Sequence, residues 1–325
     1  MSENTLSDNI SNKLARVELL DIVRGVAIIG VVIYHFMFDL RLLEFINLDV
    51  TVHPAWVFFA RILAGTFLAL VGFGLVFSHH NGMRWKSFWK RFVIIFVAAI
   101  AISVATFFIF PNMFVYFGIL HAIAIFSVLA LPFLRAPIWV IVIAMIFILS
   151  LPFFFSSAIF NEKLFSIIGL WQVPPYTADL VPFFPTFGFT LLGVLIARLV
   201  IKFDIVTRLA AIAPNGGFFN MLKKAGRWSL VIYLVHQPIM LAILYPIASF
   251  VKPAELSQSQ AFYGACFSSC LETSGSTVNC VSYCQCSLEK VESDNLWETI
   301  NSPILTNEQN EIIMSVSNLC SAMNK

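Results

Sequence analysis

Between residues 20 and 250 the chain returns seven times to an apolar run long enough to cross a membrane as a helix. A hydrocarbon core takes roughly 20 such residues per crossing. The segments near 20–42, 55–78, 92–110, 114–134, 138–155, 181–201 and 228–250 meet that requirement. Lipid offers no partner to a backbone N–H or C=O, so each run has to close its own hydrogen bonds as a helix. Composition agrees, with 59% hydrophobic and 12% charged residues against about 25% charged in soluble domains. The expectation is an all-α membrane protein, a bundle of about seven transmembrane helices. The net charge of +2 carries no basic block of the kind that binds nucleic acid.

The first run is a retained helix rather than a cleaved signal, because Asp21 and Arg24 interrupt it and no small-residue cleavage site follows. An odd number of crossings puts the termini on opposite sides. One set of connections holds Lys13, Arg16, Arg84, Lys86, Lys90, Arg91, Arg135, Arg198, Lys202, Arg208, Lys223, Lys224 and Arg227; the other holds only Arg41 and Lys163. Basic loops are retained in the cytoplasm. This predicts a bacterial inner-membrane protein with residues 1–17 cytoplasmic, a membrane domain over 18–250 and a periplasmic tail over 251–325.

That tail is polar and serine-rich, and it carries every cysteine of the chain: Cys266, Cys270, Cys280, Cys284, Cys286 and Cys320. An even number in one small extracytoplasmic segment reads as a disulfide framework. Cys266-x3-Cys270 and Cys280-x3-Cys284 each share a helix face, which suits two bridges across a helical hairpin. Thr306 to Gln309 reads as a capping box before a helix with apolar spacing through Leu319. With no histidine in the tail, structural disulfides are preferred to a metal site or a redox-active Cys284-x-Cys286, and no metal is expected.

Ionisable groups inside a bilayer are costly and face the bundle interior or a cavity. The first helix carries Asp21, Arg24, His35 and Asp39, which fall on one face and span about 27 Å, close to the membrane thickness. Asp21 and Arg24 are spaced to pair at i,i+3. Arg61 follows on the second run, His121 on the fourth, and Ser229, Tyr233, His236 and Gln237 on the seventh, with His53 just before the second. Taken singly, each histidine is best read as a donor to a nearby carbonyl that stitches helices together. That reading is strongest for His79 and His80, in a basic loop. It weakens for the first helix, where four ionisable groups share a face.

The motifs resemble a known family. Leu20-Asp21-Ile-Val-Arg24-Gly25-Val-Ala27, followed by Tyr34-His35 and Phe38-Asp39-Leu40, looks like the opening helix of the bacterial DUF1624 proteins. These are similar to the catalytic membrane domain of heparan-alpha-glucosaminide N-acetyltransferase. Arg61 with Phe67-Leu-Ala-Leu-Val-Gly72, Phe117-Gly118-Ile-Leu-His121, Asp179-Leu-Val-Pro182-Phe-Phe-Pro185 and Gly226-Arg-Trp-Ser229 through Tyr233, His236, Gln237 and Pro238 follow in the same order. The likeness covers about residues 17–245 and leaves out the tail.

The resemblance implies a transmembrane acyltransferase that moves acetyl, or another acyl group, from cytoplasmic acetyl-CoA to a sugar or envelope acceptor outside. It implies a catalytic histidine in a His-x-x-Trp setting, matched by His53-Pro-Ala-Trp56, while His35 stands where the lysosomal enzyme has asparagine. His53 and His35 are therefore the candidate bases, with His121 as a third group and Asp39 to orient an imidazole. Asp21, Arg24, Arg61, Ser229, Tyr233, His236 and Gln237 are the candidate substrate-lining residues. The chain departs from the eukaryotic enzyme in having fewer crossings and no large luminal domain. Two other classes stay open: a transporter or flippase using the polar stripe, and an anchor whose tail recruits a periplasmic partner. Membrane lipid is a partner in every case, and a homodimer is compatible with all three.

Overall fold

The computed structural model describes residues 18–46, 48–111, 113–175, 177–206, 208, 214, 216–251, 253–274, 277–302 and 305–322. The segment 1–17, assigned above to the cytoplasm, lies outside the described residues. Helices α1 (Glu18–Leu42), α2 (Pro54–His79), α3 (Trp85–Ile109), α4 (Ile119–Leu129), α5 (Ile138–Phe154) and α6 (Phe183–Lys202) are followed by α7 (Gly217–Arg227), α8 (Ser229–Val251), α9 (Pro253–Ser274), α10 (Thr277–Ser293), α11 (Trp297–Ile300) and α12 (Asn307–Ala322). Among the described residues the only strand-like feature is an isolated parallel bridge between Phe117 and Leu180.

Five helices, α1, α2, α3, α6 and α8, are long and apolar enough to cross a membrane, and α4 and α5 are shorter apolar helices. The protein is therefore a multi-pass membrane protein. The seven apolar runs each contain one of these helices, but the run over 114–134 is not continuous. Its first residues are extended and pair with the segment before α6: Val181 N–H donates to Phe117 O (3.0 Å) and Ala178 N–H to Met113 O (2.8 Å). After Leu129, Pro132 starts a short 3-10 turn, Pro132–Leu134, because a proline cannot donate to the preceding turn. Large apolar side chains face outward along these helices, with Phe108 79% and Phe154 85% exposed. Water would penalise that surface; hydrocarbon accepts it.

Two compact units make up the chain, Met1–Phe38 with Asp49–Leu241, and Asp39–Leu48 with Ala242–Lys325. The second takes in the end of α1, the end of α8 and all that follows α8.

In the first unit, α2 and α6 form the closest helix pair, around a core that includes Leu68, Phe126, Leu191 and Val194. A Cβ on Gly72 would collide with Thr190 O, and one on Gly193 with Ala69 O. Small residues let membrane helices approach to backbone contact. The amphipathic α7 lies against the start of α1 in the same way, with Gly226 against Asp21 O and Gly25 against Leu222 O. Lys223 pairs with Glu18 there, and Arg227 Nε approaches Asp21 Oδ2 at 3.4 Å. Arg198 donates to Ala136 O. These contacts tie basic residues of α6 and α7 to neighbouring elements.

The second unit is a helical hairpin, α9 and α10, with α12 against α10. Disulfides Cys266–Cys284 and Cys270–Cys280 join the hairpin arms, and Cys286–Cys320 fastens α12. The helix start of α12 is a capping box: Gln309 N–H donates to Thr306 Oγ1 (3.3 Å) and Thr306 N–H to Gln309 Oε1 (2.9 Å).

Candidate functional site

A cavity of about 1040 Å³ runs through the first unit. The polar face of α1 supplies Arg24, Tyr34 and His35 to its wall, separated by the apolar Ile28 and Val31. Arg24 and His35 are eleven residues apart, about 16 Å along the helix axis, so the cavity extends over about half the length of a membrane-crossing helix.

Around Arg24 the wall is basic and hydroxylic. Ser87, Lys90 and Arg91 come from the start of α3 and Ser229 from the start of α8. Arg24 Nη1 pairs with Asp21 Oδ1 at 3.6 Å, the i,i+3 contact expected from the spacing. The guanidinium also lies beside Gly74 of α2, with Nη2 3.6 Å from where a Cβ would stand. Lys90 and Arg91 have no acidic or hydrogen-bonding partner among the described residues. Two unpaired cations near Arg24 are what a polyanion would neutralise.

At the other end the wall holds Tyr34, Thr51, Trp171, Thr177, Asp179 and Tyr233. The loop bearing Asp179 is pinned by Thr177 Oγ1, which donates to Phe114 O at 2.9 Å. Asp179 Oδ2 accepts the Ile119 N–H at 3.0 Å and so caps α4 from sixty residues away. Gly118 makes room for this, since a Cβ there would strike Asp179 Oδ2. Among the described residues no other hydrogen bond reaches this carboxylate. Burial pushes its pKa up to about 6, partly offset by the Ile119 N–H bond. Tyr34 and Tyr233 stand close enough to feel its charge.

His35 opens on the cavity and has no hydrogen-bond partner among the described residues. Its ring stands edge-on to that of His236, with centroids 5.0 Å apart. His236 is buried, and its Nδ1 lies 2.8 Å from Tyr233 O and 3.2 Å from Ile232 O. Both are acceptors, so Nδ1 carries the proton and Nε2 presents a lone pair. That Nε2 is buried without a hydrogen-bond partner.

The other candidates lie elsewhere. His121 has both nitrogens engaged: Gly118 N–H donates to Nδ1 (3.3 Å), and Nε2 faces Ser103 Oγ (3.3 Å), which donates to Val115 O (2.6 Å). It anchors the loop before α4. His53 is exposed at the start of α2, where its carbonyl accepts Trp56 and Val57 N–H groups, each at 3.0 Å; Thr51 and Val57 on either side line the cavity, and His53 does not. Arg61 does line it. Gln237 is half-buried beside His236. Asp39 is fully buried near the end of α1 and falls in the second unit. His79 donates Nδ1–H to Leu75 O of its own helix at 2.8 Å. No cluster of three or more His, Cys, Asp or Glu residues suited to a metal occurs among the described residues.

Sequence reasoning did not single out Asp179, Lys90 or Arg91 as site residues. Asp179 was visible only as part of a motif, and Lys90 and Arg91 only as members of basic loops that suit CoA phosphates but that topology alone also predicts.

A family described as "Heparan-alpha-glucosaminide N-acetyltransferase, catalytic" matches residues 16–238. That range contains every residue of the cavity wall. No curated protein and no solved structure matches the chain significantly.

Proposed function

Because the chain belongs to the heparan-alpha-glucosaminide N-acetyltransferase catalytic family, we propose that it is a membrane acyltransferase that takes an acetyl group from acetyl-CoA and transfers it to an acceptor on the other side of the membrane. The family supports an acetyltransferase-type activity in general. The observation that carries the fuller reading is the single cavity joining a cationic end, Arg24, Lys90 and Arg91, to an end bearing His35 and Asp179.

In this reading the cationic end faces the cytoplasm of a bacterial inner membrane, as basic loops do. It holds the phosphates of CoA, and Ser87 and Ser229 add hydroxyl donors. The pantetheine arm extends past Ile28 and Val31, which places the thioester near His35. His35 acts as general base. The acceptor oxygen or nitrogen forms a bond to the acyl carbon as its proton passes to His35. The C–S bond then breaks, and the thiolate recovers that proton as CoA-SH.

His236 supports the transfer. The Tyr233 carbonyl fixes its Nδ1–H tautomer, and its Nε2 can accept the N–H that His35 carries on the ring nitrogen opposite the one that takes the acceptor's proton. This is the orienting logic of a histidine backed by a fixed acceptor. Arg61, also on the wall, is a charge available to the developing oxyanion. His53, outside the cavity wall, remains the alternative base by its His-x-x-Trp setting. Asp21 acts through Arg24, and Gln237 and Asp39 are left to support.

Calorimetric titration of acetyl-CoA and CoA into the full-length protein in lipid nanodiscs tests this reading. Saturable micromolar binding is expected, with slow CoA release abolished by His35→Ala. Absence of binding by either ligand rejects the acyltransferase reading and leaves transport through the same cavity.

A further inference from the structure

Helix α7 has more surface than its packing against α1 uses. It is 11 residues long, too short to cross a membrane, and in sequence it lies between the membrane helices α6 and α8. At 100° per residue its side chains sort into three arcs around the axis. Leu222, Lys223 and Gly226 are buried, and this arc meets α1 at backbone contact, with Gly25 against Leu222 O and Gly226 against Asp21 O. Phe218, Met221 and Trp228 fall within about 80° of one another and are 64%, 53% and 63% exposed. Lys224 and Arg227 continue round from Trp228, and both are exposed. Lys224 makes no ion pair among the described residues. Arg227 approaches Asp21 through Nε and keeps 43% of its side chain exposed.

Helix α1 sets the depth of this face. The contacts at Asp21 and Gly25 fall in its first two turns, about 5–10 Å from its start. Interfacial helices sit about 5–10 Å into the boundary between headgroups and acyl chains. The start of α3 carries the same signature, with Trp85 and Trp89 exposed on one face and Lys86 exposed beside them. Lys90 and Arg91 of α3 share a cavity wall with Arg24 of α1, so the two helix starts lie at one end of the bundle. Tryptophan beside lysine or arginine is the pairing found at a membrane–water interface.

Water penalises three exposed apolar side chains, and hydrocarbon penalises the two cations next to them. One molecule satisfies both when it joins acyl chains to a negative headgroup. Free phosphate leaves the apolar arc uncovered, and a zwitterionic lipid brings its own cation towards Lys224.

We propose that the outer face of α7 is a binding site for anionic phospholipid, with Phe218, Met221 and Trp228 among the acyl chains and Lys224 and Arg227 on the headgroup phosphate. The site adjoins the cationic end of the cavity, because Asp21 pairs with both Arg24 and Arg227. It does not depend on the acyltransferase reading.

The test uses tryptophan fluorescence of the full-length protein in nanodiscs of mixed phosphatidylcholine and phosphatidylglycerol. Bromine on the acyl chains of one lipid at a time quenches the tryptophans which that lipid touches. The share of Trp228 is the difference between the wild-type protein and Trp228→Phe. Per molecule, brominated phosphatidylglycerol should quench Trp228 about twentyfold more effectively than brominated phosphatidylcholine, at about fivefold for each cation. Lys224→Gln, which breaks no ion pair among the described residues, should cut that preference about fivefold, and sodium chloride should weaken it. Lys290→Gln removes the same charge from the second unit and should leave it unchanged. Equal quenching by the two lipids, a preference untouched by Lys224→Gln or equally reduced by Lys290→Gln, or displacement by inorganic phosphate at constant ionic strength overturns the site. Quenching of Trp228 by neither lipid assigns the face to a second copy or another protein and overturns it as well.

Discussion

The rings of His35 and His236 stand 5.0 Å apart, and only one of the two has its tautomer fixed by the backbone. His236 holds its proton on Nδ1 against Tyr233 O and turns an unpartnered Nε2 inward. His35 lines the cavity with no such bond among the described residues. Under the proposed transfer, this asymmetry would divide the work, with one ring moving the proton and the other holding that ring in place.

His35→Ala should lower the rate of CoA release by about 10²–10⁴-fold, the usual worth of a general base. His236→Ala should lower kcat by a smaller factor and leave the acetyl-CoA dissociation constant unchanged. Added imidazole should restore part of the activity of either variant. Stopped-flow measurement of thiol release distinguishes the steps; a His236→Ala effect confined to KM would remove its positioning role.

At the cationic end, Lys90→Ala and Arg91→Ala should each weaken acetyl-CoA binding about tenfold to a hundredfold, since a charge-assisted contact is worth about 1.5–3 kcal/mol. Binding of dephospho-CoA should be less affected if the residue serves the 3′-phosphate. Raising salt should weaken the wild-type protein more than either variant. Calorimetry at two ionic strengths reads all three effects.

Asp179 sets a pH dependence. Burial raises its pKa to about 6, and Tyr34 and Tyr233 are the titratable neighbours that feel its charge. The folded-state value lies above the unfolded one, so its stabilising contribution is complete below about pH 4 and is lost as pH rises through about 6. Asp179→Asn should therefore raise the melting temperature at pH 7.5 more than at pH 4.5, by about 2–4 °C for each kcal/mol recovered. A melting difference independent of pH would show that the group is not titrating there.

Glycine substitutions separate close packing from open helix. Gly193→Val puts side-chain atoms against the backbone of α2 at Ala69, where nothing flexible can yield. It should cost at least the 1–3 kcal/mol typical of overpacking and lower the yield of monodisperse protein. Gly264, inside α9, has nothing within 4 Å of a Cβ. Gly264→Ala should be neutral or stabilising by about 0.5–1 kcal/mol. Size-exclusion profiles and thermal melts in detergent compare the two.

The disulfides should matter to the second unit in particular. The bridges span 10, 18 and 34 residues, and each is expected to contribute about 2–4 kcal/mol. Dithiothreitol, or Cys266→Ser with Cys284→Ser, should make α9–α12 sensitive to limited proteolysis. The cleavage sites, mapped by mass spectrometry, should cluster after residue 251.

Much of this was legible in the sequence because it is written locally. The capping box at Thr306, the Asp21–Arg24 pair and the two hairpin bridges each follow from spacings of three or four residues on a helix, and all three are present. The acidic end of the cavity was not legible, since it depends on partners sixty residues apart. Asp179 sits in an irregular segment between two apolar runs, and no periodicity links it to Ile119. The break in the run over 114–134 was hidden for a similar reason: its residues are as apolar as a helix needs, and long-range pairing with 177–181 decides otherwise. Lys90 and Arg91 were visible as charges, but only the fold turns them toward Arg24.

Ile28 and Val31 lie between the cationic end of the cavity and His35. A polar passage through a membrane endangers the proton gradient, because a continuous file of water conducts protons. Hydrophobic constrictions interrupt such a file by dewetting. Two apolar side chains on the wall between the charged ends would make that stretch of the passage a poor host for a file of water, and a ligand's own chain would fill it. Replacing either side chain with serine should raise the proton permeability of liposomes holding the protein before it alters any binding constant.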